Sequence, residues 1–356
     1  MGIQSRVLWI GLGAAALGAV LWTAGRTGRV VQIDSGTRVV MGTFSRMVVI
    51  APSRSTAAEA IEAAFKDQQG IERAMSFHSP DSELARVNAE AYRSPVVVSD
   101  SMRTVLQRAL EFSRLSDGAF DCTVGPLMDL WKAAAQAGVA PSEADLARTR
   151  PLVGWDKVVL DPNQKTVRYA VDGMKIDLGG IAKGYAVDRS VEVLRRYGAL
   201  GGMVDLGGNI RCFGRPAPGR DCWRIGIQDP CRAGDLGGPD EGVALVLKLT
   251  EQAVATSGHY RRFVLVDGHK VSHILDPKAG TSRGDLSSDT ILAPDAITAD
   301  ALSTAVSVLG VERGLALLER FPGVEAILIP GGGQGHTAAG GPAVVMTPGA
   351  GRFIER

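Results

Sequence analysis

Four short stretches of this chain hold side chains of the types and spacings that chemistry needs. The sharpest is KIDLGGIAKGYAVD, residues 175–188. Two glycines close a strand-like run, and Lys183 falls in the first turn of the helix that follows. Glycine lets a backbone approach a ligand, free N–H groups at a helix start face anions, and the lysine adds a full positive charge. That combination describes a phosphate or pyrophosphate cradle. The plainer alternative is a glycine turn with a solvated lysine. The stretch fits neither G-x-x-x-x-G-K-[ST] nor G-x-G-x-x-G, so Walker and dinucleotide loops are excluded.

The second stretch is TADALSTAVSVLG, residues 298–310. Asp300 and Thr304 share one helix face, with Ser303 nearby. The face is otherwise small and apolar, so the pair has few expected partners. Hard oxygen ligands of this kind suit Mg²⁺. Alternatively, Asp300 is a first-turn acid favoured by the helix dipole, and Thr304 bonds back to a carbonyl. The third is VSHILDPKAG, residues 271–280, where His273 precedes an Asp-Pro turn and offers a general base, the plainer alternative being a structural histidine. The fourth is DGAFDCTVGPLMDLW, residues 117–131, a punctuated loop holding Asp121 and Thr123 to which composition assigns no role. His78, His269 and His336 stand alone. No H-E-x-x-H occurs, so a zincin-type metal site is not expected.

These stretches need elements to hold them. Residues 30–51 read as strand. A T-x-x-E capping box at Thr56 and Glu59 predicts a long helix with Ile61, Phe65, Ile71 and Met75 on one face. A second helix starts near Ser99 and stops by Gly118. The block 134–150 reads as a surface excursion. Short strands are predicted at 157–161, 166–171, 174–178, 202–206, 223–228, 243–250, 262–266, 289–292, 324–330 and 343–347, with Asp267-Gly268 as a hairpin turn. Helices are predicted from near Ile181, over 297–309 and over 311–320. Regular β-α-β alternation is missing, which argues for α+β over a doubly wound sheet.

Composition sets the outer limits. The chain has 356 residues, with 39 Lys+Arg against 38 Asp+Glu, which argues against nucleic acid as the main partner. Apolar residues make up 45% and charged residues 22%, ordinary for a globular protein and unlike a disordered one. Val7 to Ala24 carry no charge, while Arg6 precedes them and Arg26 and Arg29 follow. The run sits between a signal-peptide core and a membrane span. Residues 1–29 therefore read as a leader or an inner-membrane anchor, and 30–356 as the functional body. Both cleavage and retention fit. Cys122, Cys212, Cys222 and Cys231 form no C-x-x-C; in an oxidising compartment Cys222 and Cys231 could bridge, and free thiols are the alternative.

Taken in order, these motifs resemble the ApbE family, the FAD:protein FMN transferases. The likeness runs through MGT at 41–43, MSFHSPDSEL at 75–84 and the 117–131 loop. It continues through the 175–188 stretch, VDLGGNI at 204–210 and ATSGHYRRF at 255–263, and ends with the His273 and Asp300 stretches. The resemblance implies a T-fold-like α+β body with mixed or antiparallel sheets and paired helices. It implies an exported, periplasmic enzyme that splits FAD, moves FMN to a Thr or Ser hydroxyl of a target flavoprotein, and releases AMP. It implies Mg²⁺ held by Asp300, Thr304 and the Gly180 carbonyl. FAD contacts carry over to Met41, Ala119, Phe120, Asp121, Asp177, Lys183 and Leu275, and His273 to the base. His78 stands where the family has a flavin-stacking Tyr, and Cys122 where it usually has Pro. The acceptors implied are flavin-bearing subunits of membrane electron-transport complexes. A Mg²⁺-dependent FAD pyrophosphatase and a non-catalytic flavin-binding assembly factor remain open beside the transferase.

Overall fold

The computed structural model describes residues 30–216, 218–230, 242–258, 263–266, 269–272, 274–331 and 343–355. Residues 7–24, Cys231, His273 and His336 lie outside these.

Strands β1 (Val31–Val40) and β2 (Thr43–Ala51) form an antiparallel hairpin. The stretch expected as one strand breaks at Met41 and Gly42, whose φ angles are 53° and 67°. Two successive positive φ angles make the tight turn that matches strand twist. Glycine adopts it freely; for a methionine it is an outlier. Helix α1 (Arg54–Met75) follows. Its cap is Ser53, whose hydroxyl accepts from Thr56 N, so the helix begins ahead of the expected Thr56–Glu59 box. Then come α2 (Glu83–Glu90), β3 (Val96–Val97), α3 (Asp100–Leu115), α4 (Gly125–Ala137) and α5 (Glu143–Thr149). The expected excursion at 134–150 is thus partly helical, although α5 buries no residue.

Strands β4 (Val158–Asp161) and β5 (Thr166–Tyr169) join β3 in a small sheet. Residues 174–178 do not form the expected strand. They run extended along the 117–124 loop, with one parallel bridge, Val124 to Lys175, and Asp177 N donating to Cys122 O at 2.8 Å. A loop offers no ladder to extend. Next are α6 (Ala182–Arg196), β6 (Gly201–Leu206), β7 (Asn209–Phe213), β8 (Trp223–Gln228), β9 (Val243–Leu249) and β10 (Ala253–Gly258). Strands β11 (Phe263–Val266) and β12 (His269–Ser272) pair antiparallel around residues 267–268, as a hairpin requires. The chain continues through β13 (Leu286–Ala293), α7 (Ala296–Leu318), β14 (Glu325–Pro330) and β15 (Val345–Met346).

The main sheet has eight strands in the order β1-β2-β6-β7-β10-β13-β14-β15. Each neighbouring pair is antiparallel. Side chains alternate between two covered faces. Met47, Val49, Val204, Ala255 and Ile291 join one core with α1, α6 and α7. Val48, Ile50, Val254 and Leu292 join a second with the β8–β9 hairpin. Because both faces are buried, β2 reads as a continuous apolar run. Helix α7 is apolar enough to cross a membrane, yet most of it is buried in the protein. It breaks at Gly310 (φ 75°, ψ −171°), between the two helices expected from sequence.

Candidate active site

Helices α6 and α7 touch backbone to side chain at one point. A Cβ on Gly184 would lie 2.2 Å from Ala296 O and 2.8 Å from Asp300 Cβ. That closeness puts Lys183 Nζ 3.0 Å from Asp300 Oδ1 and lets Gly184 N donate to Asp300 Oδ2 at 2.9 Å. Asn209, at the start of β7, completes the set. With its amide oriented to satisfy both ends, it donates to Asp300 Oδ1 at 3.1 Å and accepts from Lys183 Nζ at 3.2 Å. Asp300 is buried, and a buried carboxylate needs such partners. The expectation of few partners for Asp300 is therefore corrected. One N–H of the α6 start, expected to face a phosphate, is aimed at Asp300 instead.

Thr304 Oγ1 lies 3.5 Å from Gly180 O and 3.2 Å from Asp300 O. The back-bond to a carbonyl and the approach to Gly180 thus coexist. A Cβ on Gly180 would sit 2.8 Å from Thr304 Oγ1 and 3.2 Å from Phe120 Cε2, so only glycine lets this carbonyl and hydroxyl meet. One carboxylate, one hydroxyl and one peptide carbonyl make a hard, weakly charged donor set. It fits a Mg²⁺ ion that takes its other ligands from water or phosphate. Among the described residues no group of three His, Cys, Asp or Glu could hold a metal, so a softer transition ion has no rival site there.

Of this set, Asp300 lines a cavity of about 400 Å³ at one end of the main sheet. Its walls include Lys183, Asp300, Asn209, Ser257, Ser303 and Phe44. Met41 stands at the tip of the β1–β2 hairpin, beside Thr43 and Phe44 on the cavity rim. Asp177 and Asp205, the acids of the two Asp-Leu-Gly-Gly segments, each accept from a glycine N–H of their own turn, Gly179 and Gly208.

The remaining predicted residues form a layer beside this centre. Ala119 and Phe120 are buried. Asp121 accepts from Thr123 N, Thr123 Oγ1 and Trp155 N at 2.8, 2.6 and 3.1 Å, which ties two loops together. Burial raises its carboxyl above the ordinary range against those bonds. Burial likewise raises Asp177, with His78 among the charges that oppose the shift. His78 is exposed and meets Phe77 edge to face at 5.6 Å. Leu275 packs with Leu127 and Val271. Its loop is pinned by Lys278 to Asp117 at 2.7 Å and by Trp131 Nε1 donating to Gly280 O at 2.7 Å. Asp276 accepts from Lys278 N, Ala279 N and Arg283 Nε, so it holds its own turn. Cys122, Cys212 and Cys222 are free thiols.

Sequence reasoning missed Asn209, Ser257 and Asp289. Asn209 follows two glycines, and that context reads as a turn; its partners come from two distant helices.

Comparisons with known proteins agree with this arrangement. The ApbE family model matches residues 41–328. The FAD:protein FMN transferase of Treponema pallidum is 37% identical over 315 residues, covering 84% of this chain and 85% of that protein. That of Haemophilus influenzae is 34% identical over 304 residues, covering 84% and 82%. The crystal structure of the ApbE protein of Thermotoga maritima superposes with a TM-score of 0.76 at 31% identity, over 92% of this chain and 100% of that one. With the α+β body, the site and the family model all spanning the same residues, the chain belongs to the ApbE family.

Proposed function

We propose that this chain moves FMN from FAD to a Thr or Ser hydroxyl of a protein acceptor, with Mg²⁺ bound and AMP released. The observation that carries the reading is the convergence of Gly180 O, Asp300, Thr304 and Lys183, with Asp300 and Lys183 at a cavity wall. The names of the two relatives support the transferase class. Bound by Gly180 O, Asp300 and Thr304, Mg²⁺ would neutralise charge on the pyrophosphate as it is split. Lys183 binds phosphate oxygens while remaining close to Asp300. Gly184 N and Asn209 fix the carboxylate so that it does not turn away. Met41, Phe120 and Leu275 supply apolar surface for the rings, and His78 takes the position of a stacking side chain. His273 serves as the base that removes the acceptor proton.

Residues 7–24 support export, and the enzyme works in the periplasm, held at the inner membrane where the segment is retained. Its acceptors are flavin-bearing subunits of membrane electron-transport complexes. The test mixes the protein with FAD, Mg²⁺ and such a subunit. A fluorescent acceptor band on a denaturing gel, with AMP formed in equal amount, is expected. Free FMN and AMP without a band would make it a pyrophosphatase, and FAD bound without turnover a binding protein.

A further inference from the structure

Asp289 is a wholly buried carboxylate that none of the steps above uses. It lies on the helix-facing side of β13, directly opposite Ser257 of β10 in the strand register. From α7, Ser303 Oγ donates to its Oδ1 at 2.6 Å, and Ser307 Oγ donates to its Oδ2. Ser303 Oγ also lies 2.7 Å from Ser257 Oγ. Ser257 and Ser303 line the cavity together with Lys183 and Asp300. The result is a file of three side chains leading from the sheet interior to the cavity wall.

Few other charges face this file. Strand β10 carries no ionisable side chain. On β14 the only one is Glu325, at the far end, where it accepts from Thr347 and pairs with Arg352. Asp300 on α7 is paired with Lys183 of α6.

A serine hydroxyl has one proton to give. With Asp289 ionised, Ser303 gives its proton to the carboxylate. Ser257 must then give its own to Ser303, so it turns only lone pairs towards the cavity. With Asp289 protonated on Oδ1, the oxygen that faces Ser303, the file runs the other way, and Ser257 becomes a donor. Charge at the buried end thus sets hydrogen-bond polarity at the cavity end.

We propose that Asp289, acting through Ser303, holds Ser257 as an acceptor, and that Ser257 accepts a hydrogen bond from the incoming protein hydroxyl as it docks, which aims the hydroxyl's lone pair at the FAD phosphorus before its single proton passes to His273. The proposal rests on the transferase reading above. Ser257 is the residue that touches substrate; Asp289 and Ser303 are positioning residues. No covalent step and no net proton transfer runs through the file. Burial pushes the Asp289 carboxyl up to about 7, so the ionised form that the arrangement needs fills in across neutral pH.

The test compares Ser257→Ala, Ser257→Thr, Ser303→Ala and Asp289→Asn in FAD affinity and in single-turnover transfer. Losing one aligning hydrogen bond should slow transfer roughly tenfold, with FAD affinity held within about twofold. Ser257→Thr keeps the hydroxyl and should keep most of the rate. Asp289→Asn combined with Ser303→Ala should lose no more than either alone. The acid side of the pH–rate profile should shift in Asp289→Asn. A second readout needs no turnover. The carboxyl carbon of ¹³C-labelled Asp289, assigned by its loss in Asp289→Asn, should titrate near neutrality, and its midpoint should rise in Ser257→Ala. An unmoved midpoint would overturn the file even where no acceptor can be flavinylated; a moved midpoint with no transfer would overturn only the transferase reading. Wild-type rates in Ser257→Ala, or a fall in FAD affinity that matches the fall in rate, would also sink the proposal. Should Asp289→Asn not fold, the Ser257→Ala and Ser257→Thr pair decides the question.

Discussion

Asp300 is held by three donors from two other elements, so its removal has two consequences. Asp300→Ala deletes the carboxylate proposed to hold Mg²⁺ and takes from Lys183 its carboxylate partner. Transfer should fall on the order of 10²-fold or more, and what remains should no longer depend on Mg²⁺. A Mg²⁺ titration of both proteins checks this, with circular dichroism confirming an unchanged fold. Asp289 yields a prediction about stability. Its ordinary carboxyl value is 3.8, and burial pushes it to about 7 in the folded protein. Between those values the folded state binds a proton that the unfolded chain has released, so stability declines as pH rises through the window. Asp289→Asn removes that decline. Its melting temperature relative to wild type should therefore be higher near pH 8 than near pH 5, even though transfer is slower. A constant difference across pH would show that Asp289 does not carry the linkage.

The contact between α6 and α7 depends on one missing methyl. Gly184→Ala would place a Cβ 2.2 Å from a backbone oxygen that cannot swing aside. The helices must separate, at about 1–3 kcal/mol or more. Thermal unfolding should show the loss, and FAD affinity should fall with it because Lys183 and Asp300 ride on the two helices. The sequence carried much of this layer but not its joints. Periodicity located α1, α3, α6 and both halves of α7, and Gly310 marked the break. It placed Lys183, Asp300 and Thr304 on the right elements. It could not place residues 174–178, whose partner is a loop, nor the Met41 turn inside a run that looks like one strand. Asn209 and Asp289 escaped for the same reason: a strand-end amide and a strand acid gain meaning only from helices that meet them across the fold.

At the scale of the whole molecule, the body from residue 30 onwards contains both covered sheet faces and the site. The protein without residues 1–29 should therefore stay folded and bind FAD as the full chain does. The full chain should fractionate with membranes or appear trimmed in the periplasm, and recovery of an untrimmed chain in the cytosol would count against export. The layout of the site also bears on when FAD can first be met. Phe120, Gly180, Lys183 and Asn209 come from the middle of the chain, whereas Asp300 and Thr304 ride on α7, near its end. Strand β2 must wait for β6 before it has its second neighbour. Pairings across such sequence separations form late and slowly. A chain emerging from the ribosome has no complete site until α7 has docked. FAD can first be bound only where this chain completes its fold.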